Sequence, residues 1–319
     1  MNITRPYATY ISDTAAGFII NFSILGTIGN ILTIIAFGSS NKIQKNATKK
    51  FIINLAISDL ILSAISLPIL SGQLLFDNWL FDKTLCRVST VILYGNLNVT
   101  LLSMTAIAIT RYFMVLKPTV YPRYFTDKNV STTMILIWIF SYLERVPPTF
   151  DLWGTIDVDP KTFFCGSFPN EGQSIDPNLV LGLIAFFTPC LVMSYSYVSI
   201  YLKIKKTREN VKTHDSRATK NIEKEKKVTT LMFIIFVSFL ICFLPGVLID
   251  SIDDEKYYPE LHVFHTVLSC AIVFINPIIY ACSNKRYRNA YKAIFKSGGN
   301  DSSHQPDISC QTPRCLPTK

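Results

Sequence analysis

The chain has 319 residues, 49% of them hydrophobic and 17% charged, with a mean hydropathy of +0.31 and a net charge of +9. So apolar a composition excludes an intrinsically disordered chain and makes a membrane protein the leading class. The positive charge fits either a nucleic-acid-binding face or the basic cytoplasmic loops of a membrane protein, and its placement decides between them.

Hydrocarbon about 30 Å thick is crossed by roughly 20 mostly apolar residues in a helix. Seven segments meet that need: 15–38, 51–75, 86–116, 131–149, 178–202, 228–250 and 261–282. The third is interrupted by polar side chains. Ahead of the first lies a short segment, 1–14, with no basic n-region and no small-residue cleavage site, so the first span is expected to act as its own insertion signal.

The connections alternate in charge. Lys42, Lys45, Lys49 and Lys50 lie between segments one and two, Lys117, Arg123 and Lys128 between three and four, and a run from Lys203 to Lys227 between five and six. The opposite connections are acidic, with Asp77 and Asp82, then Asp151, Asp157, Asp159 and Glu171, then Asp253, Asp254, Glu255 and Glu260. The positive-inside rule puts the N-terminus outside and the C-terminus in the cytoplasm. The basic charge is then topological: the bilayer is a partner and nucleic acid is not.

Cys86 and Cys165 are the cysteines this topology places clearly in an oxidising space. Elimination pairs them, with two free thiols as the alternative. Cys190, Cys242, Cys270 and Cys282 fall in spans as packing residues, and Cys310 and Cys315 in the tail are open to lipidation. Of the N-x-S/T acceptors, Asn2 lies on the glycosylated side. After the seventh span, residues 283–296 alternate basic residues with Tyr287, Tyr291, Ile294 and Phe295, as in an amphipathic helix lying in the inner interface. Residues 297–319 read as a disordered cytoplasmic tail.

A polar residue in a membrane helix is a functional candidate by default. Here they recur in order: Gly29-Asn30, NLAISDL with Asp59, Asn96, Asn98 and Thr100, the TRY triplet 110–112, Trp138, Pro189 and Tyr197, CFLP with Pro245, and NPIIY at 276–280. The set resembles the rhodopsin-like (class A) G-protein-coupled receptors over roughly 15–296. The short N-terminus and the TRY variant resemble the branch of melatonin-receptor-like and moody-like receptors. The resemblance implies an all-α bundle of seven membrane helices over 15–282 with a short eighth helix, in the plasma membrane.

TRY stands where the family has an acid-Arg-Tyr triplet. The resemblance implies that Arg111 contacts the sixth helix at rest and the G-protein when active. Thr110 cannot supply the usual countercharge, and Glu225, counted back from Pro245, is the expected partner. Tyr112, Tyr197, Asn276, Pro277 and Tyr280 complete the coupling set. Leu101, Pro189, Phe239, Phe243 and Pro245 form the expected packing switch and hinge, Phe243 replacing the usual tryptophan and Pro245 removing a backbone hydrogen bond. The family binds sodium at a site that maps here to Asp59, Asn96, Thr100 and Asn276, with apolar Ile272 where many members are polar. The alternative is Asp59 protonated or hydrogen-bonded without an ion.

The outer ligand pocket is expected around Leu93, Tyr94, Asn98, Arg145, Asp250, His262 and Thr266. Leu93 disfavours an amine ligand and Cys270 a retinal Schiff base, because the family's anchoring residues are missing there. Arg145 serves either as an anchor for an anionic ligand or as a charge neutralised with Glu144 by its neighbours. The function expected is transmission of extracellular ligand binding, small molecule or peptide, to a heterotrimeric G-protein, with no cofactor beyond a sodium ion. No loop offers a nucleophile–base set or metal-ligand spacing, so an enzyme is not expected. The alternatives are a decoy or scaffold receptor that does not couple and, lacking internal repeats, a transporter or channel.

Overall fold

The computed structural model describes residues 7–39, 47–76, 82–159, 161–162, 164–170, 172, 177–210, 216–253, 256–283 and 288–289. The expected helix over 283–296 falls almost wholly outside these residues, as do Asn2, Cys310 and Cys315. Among the described residues the chain is a bundle of helices: α1 (Thr9–Ser39), α2 (Ala47–Ile61), α3 (Leu67–Leu75), α4 (Lys83–Leu116), α5 (Tyr121–Tyr124), α6 (Asp127–Leu143), α7 (Val146–Thr149), α8 (Pro177–Asn210), α9 (Ser216–Ile252), α10 (Pro259–Cys270) and α11 (Ile272–Ser283). A hairpin of β1 (Thr155–Val158) and β2 (Cys165–Phe168) lies between α7 and α8.

Six stretches are long and apolar enough to cross a membrane, counting α2–α3 and α10–α11 as one each. The fourth crossing, α6, has 17 residues. It stops at Leu143, short of the 149 expected from hydropathy, and the physical reason is local. Pro147 and Pro148 cannot donate backbone hydrogen bonds, so the carbonyls of Leu143 and Glu144 lose their helical donors. The second crossing passes through a π-helical turn, Leu62–Ser66, just ahead of Pro68. The seventh breaks at Ala271, so the single helix expected over 261–282 is two. Side chains cap the starts of α4 and α6: Asp82 accepts from Leu85 N at 2.9 Å and Thr126 from Asn129 N at 3.3 Å.

Large apolar side chains such as Ile24, Ile28, Ile135, Phe140, Leu191 and Val198 point out of the bundle. In water they would be a liability; facing acyl chains they are the expected surface. Inside, small residues let helices approach. A Cβ on Gly26 would meet Val273 Cγ2 at 2.8 Å and Ser63 Cβ at 2.9 Å, and one on Gly29 would meet Pro277 Cβ at 2.9 Å. α1 therefore lies directly against α11 and the π turn, as small residues allow in membrane bundles. Across the same seam Asn30 donates to the Val273 carbonyl at 2.8 Å, and Ser23 to the Ser63 carbonyl at 2.7 Å.

The hairpin is pinned to the start of α4 by a disulfide between Cys86 and Cys165. Ile156 is fully buried beside it. Ion pairs surround the bridge: Arg87 to Asp151 at 2.7 Å, Lys83 to Asp157 at 2.7 Å, and Lys256 to Asp159. Hydrogen bonds from Thr155 and Arg87 hold the Asp151 carboxyl below its ordinary range, and a hydrogen bond from Lys83 does the same for Asp157. A lowered folded value means that these contacts stabilise above the ordinary carboxylate value of 3.8 and are lost as pH falls through the lowered ones. Amide exchange across Thr155–Val158, corrected for intrinsic rates, is expected to show lower protection at about pH 3 than at about pH 5, and Arg87→Ala should flatten the difference. Equal protection at both pH values in the wild type would contradict the clamp.

Candidate functional site: a polar axis through the bundle

Asp59 sits at the centre of the bundle, fully buried. Thr100 donates to its Oδ1 at 2.9 Å and Asn276 donates to its Oδ2 at 2.9 Å, so α2, α4 and α11 meet on one carboxylate. Ser58 lies 3.4 Å from the Thr100 hydroxyl. Asn96 reaches this group through Ser58 and makes no hydrogen bond to Asp59. Its amide donates to the Ile92 carbonyl and the Tyr142 hydroxyl, both at 2.8 Å, and its own oxygen accepts from Ser58 at 3.1 Å. Thr100 and Asn96 share a helix face, but the Asn96 side chain swings toward α6, where Tyr142 offers a partner that Asp59 would otherwise have to supply. One turn nearer the Arg111 end, Asn54 donates to Ser103 at 2.8 Å and accepts from the Trp138 indole at 2.9 Å, linking α2, α4 and α6.

Oxygen donors suit a hard cation. The Asp59 carboxylate, the Thr100 and Ser58 hydroxyls and the Asn276 side-chain oxygen are grouped here. The Asn276 oxygen is buried with no hydrogen-bond partner among the described residues. That orphaned acceptor fits a sodium ion. Against it, Asn96 is turned away and Ile272 is apolar and fully buried, so four residues would carry the ion with water.

At one end of the axis is Arg111, only 3% exposed. Its guanidinium pairs with the Glu225 carboxylate of α9, also approaches the Glu225 carbonyl at 3.5 Å, and lies 3.1 Å from the Met114 sulfur. Thr110, on the same helix, gives its hydroxyl to the Ala106 carbonyl at 2.6 Å and leaves Arg111 alone. Tyr112 packs near Tyr195 with ring centroids 5.9 Å apart. Tyr197 is buried against Phe233 and Phe236, and Tyr280 against Phe37.

Between the centre and the other end lies an aromatic stack. Phe243 and Phe239 are 4.4 Å apart, and Phe186 is 5.9 Å from Phe239. Leu101 and Pro189 are buried nearby in the same core. Pro245 leaves the Ile241 carbonyl without its helical donor. Ser269 of α10 donates to the adjacent Cys242 carbonyl at 3.0 Å, so α9 and α10 are joined beside the break.

At the hairpin end the expected pocket residues are only partly gathered. Arg145 is engaged within the chain: it pairs with Glu144 at 2.6 Å and lies over the Tyr94 ring at 5.1 Å, while Asn98 donates to Glu144. Its charge is met here by Glu144. Thr266 turns its hydroxyl onto the His262 carbonyl at 2.7 Å, and Leu93 packs half-buried against the core. Asp250 and His262 meet at 3.0 Å, together with His265 and Asp253, which hydropathy and motif spacing did not single out. The signal was present as HVFH, residues 262–265, two histidines three apart in a helix. Of the unpaired span cysteines, Cys190, Cys242 and Cys270 are buried as packing residues, but Cys282, near the end of α11, is exposed.

Residues 29–280 match the model of the family described as 7 transmembrane receptor (rhodopsin family). The chain is 35% identical over 296 residues to protein trapped in endoderm-1 of Drosophila melanogaster, covering 86% of this chain and 75% of that one. It is 26% identical to the G-protein coupled receptor moody of the same fly, covering 85% of this chain and spanning about half, 49%, of that relative's length. Melatonin receptor type 1A of Gallus gallus is 26% identical, with 90% of this chain and 82% of that one covered. In fold the chain is similar to the crystal structure of squid rhodopsin, with a TM-score of 0.80 at 21% identity over 92% of this chain and 88% of that one. The chain belongs to the rhodopsin-like family of seven-transmembrane G-protein-coupled receptors.

Proposed function

We propose that this receptor sits in the plasma membrane with the hairpin end outside and the Arg111 end in the cytoplasm. It passes the binding of an extracellular ligand to a heterotrimeric G-protein through movement of α9. The observation that carries this reading is the Arg111–Glu225 pair, which ties α4 to α9 at the end opposite the disulfide-anchored hairpin. Breaking it frees the lower half of α9 to swing about Pro245, opening the ground that a G-protein would occupy. The lysines and arginine flanking that ground, Lys203, Lys205, Lys206, Arg208, Lys226 and Lys227, are exposed and suit a cytoplasmic face beside anionic lipid. Ligand and G-protein then bias one two-state element from opposite ends, and each raises the affinity of the other.

Because Thr110 contributes no countercharge, the resting state is held at this point by the interhelical pair, one partner of which is 33% exposed. A half-exposed pair of this kind is worth about 1 kcal/mol. Ligand-free signalling, read across the G-protein families in cells at matched surface expression, is expected for the wild type. Glu225→Ala should raise it by roughly fivefold, as loss of about 1 kcal/mol implies, and Arg111→Ala should abolish it. Silence of the wild type and of Glu225→Ala would refute basal activity; silence after activation by an identified ligand as well would favour a non-coupling decoy.

A sodium ion held by Asp59, Thr100, Ser58 and Asn276 would neutralise the buried carboxylate and favour the resting bundle. Replacing N-methylglucamine by sodium should then raise the melting temperature of the purified receptor, by RT ln(1 + [L]/Kd) in stability. Asp59→Asn should remove the shift. A sodium shift that persists in Asp59→Asn would dismiss the site.

A further inference from the structure

We propose that Asp250, His262 and His265 form a binding site for a zinc ion at the outer end of α9 and α10, with Asp253 as the carboxylate that orients His262. His262 and His265 lie three residues apart near the start of α10 and project from one face. Their rings have centroids 5.5 Å apart. Asp250, from the last turns of α9, sets one oxygen 3.0 Å from His262 Nδ1 and 3.1 Å from His265 Nε2. One nitrogen of each ring and a carboxylate oxygen all lie within 4.8 Å of one another. Small side-chain rotations bring such a trio to the bond lengths of about 2.0–2.2 Å that zinc takes with imidazole and carboxylate.

Two further observations separate this trio from a chance cluster of charges. The first is the partner behind His262. Its other nitrogen, Nε2, lies 3.2 Å from Asp253 Oδ2, and Asp253 is itself held by the backbone amides of Tyr257 at 2.8 Å and Tyr258 at 3.0 Å. A carboxylate that takes the Nε2 proton leaves Nδ1 as a lone pair, and such carboxylate–histidine pairs commonly stand behind metal ligands. His262 Nδ1 itself lies 3.0 Å from an Asp250 oxygen, so the nitrogen and the carboxylate offered to the ion stand side by side. The second is the seat of His265. A Cβ on Gly246 would come within 2.8 Å of His265 Nδ1, so the glycine lets the ring lie flat against α9 with Nε2 turned to Asp250.

The donor set selects the metal. Two imidazoles and one carboxylate suit zinc, whereas calcium and magnesium ask for a shell of oxygens. Three protein ligands leave a fourth position for water. The Asp250 side chain is 55% exposed and His262 only 4%, so the ion would enter over Asp250 and be held from below by the buried His262 and the half-buried His265. Bound there, it would cross-link α9 to α10 five residues beyond the Pro245 hinge. Any effect on signalling rests on the coupling reading above; the binding itself does not.

The test uses full-length receptor purified without a histidine tag, free thiols alkylated, and zinc alone as the probe, with equilibrium dialysis and thermal unfolding as readouts. The wild type should retain about one zinc per chain at micromolar concentrations and gain melting temperature with zinc. Asp250→Asn, His262→Gln and His265→Gln should each weaken retention by at least roughly tenfold, and Asp253→Asn by about tenfold, consistent with its position behind His262. Removing the two histidines outside the site, by His214→Ala with His304→Ala, should leave retention unchanged. Melting without zinc identifies any variant that fails to fold, and the conclusion is drawn from those that melt as the wild type does. Absence of zinc retention by the wild type at about 100 µM, or equal retention by folded His265→Gln and Asp250→Asn, would overturn the proposal and leave the cluster a proton-bridged hydrogen-bond network.

Discussion

Hydrocarbon offers no hydrogen bonds, so every polar group carried into it must be answered by another part of the chain. The bundle is organised around that requirement. Asn30 reaches the Val273 carbonyl, Asn54 reaches Ser103 and Trp138, and Asp59 collects Thr100 and Asn276. Each contact joins helices that are far apart in sequence, so satisfying the polar groups also sets the register of one helix on the next. Apolar packing alone would not do this, because lipid is as apolar as leucine and helix faces could slide at little cost.

The same requirement explains where the bundle can move. α9 lacks one backbone bond at Pro245, the second crossing carries a π turn, and the seventh breaks at Ala271. Each irregularity sits beside a polar contact between helices: Ser269 donates to the Cys242 carbonyl next to the Pro245 break, Ser23 to the Ser63 carbonyl in the π turn, and Asn30 to the Val273 carbonyl just past Ala271. A helix that lacks one of its own backbone bonds bends at that point at less cost than a regular one. The stacked Phe239 and Phe243 lie against α8 on one side of the Pro245 break, so rotation of α9 must re-pack them.

How much was legible in the sequence follows from how local each feature is. The crossings could be read from length and apolarity because the bilayer fixes both. Glu225 could be found because the family resemblance places the arginine's partner at a fixed count back from Pro245, and an uninterrupted helix keeps that count. The end of α6 and the break at Ala271 were missed for the opposite reason: hydropathy does not register which backbone bonds are lost. The β1–β2 hairpin was missed because its strands, four residues each, are held by the Cys86–Cys165 bridge and by Arg87 and Lys83 more than by any pattern of their own. The spacing of Asn96 from Thr100 gives a helix face but not a rotamer: its amide goes to Tyr142 while its oxygen accepts from Ser58. Arg145 lay between two roles because spacing alone does not place Tyr94 under its guanidinium or Asn98 on Glu144. The His262–Asp253 pair depends on a turn between helices, and no periodicity points to it.

Thr110 shows how one substitution redistributes a restraint. In relatives with an acid beside the arginine, the countercharge travels with the same helix, so α9 can leave while the arginine keeps a partner. Here Thr110 spends its hydroxyl on Ala106, and the charge of Arg111 is answered across the gap by Glu225. When α9 departs, a guanidinium that is almost fully buried loses its acid partner and must find water or another acceptor. The cost of opening and the reward of G-protein contact therefore fall on the same few atoms: a partner that offers carbonyl or carboxylate oxygens to Arg111 replaces what Glu225 took away. On the coupling proposed above, activation is an exchange of acceptors at one guanidinium, and the strength of the Arg111–Glu225 contact sets both how silent the resting state is and how much a G-protein must supply to displace it.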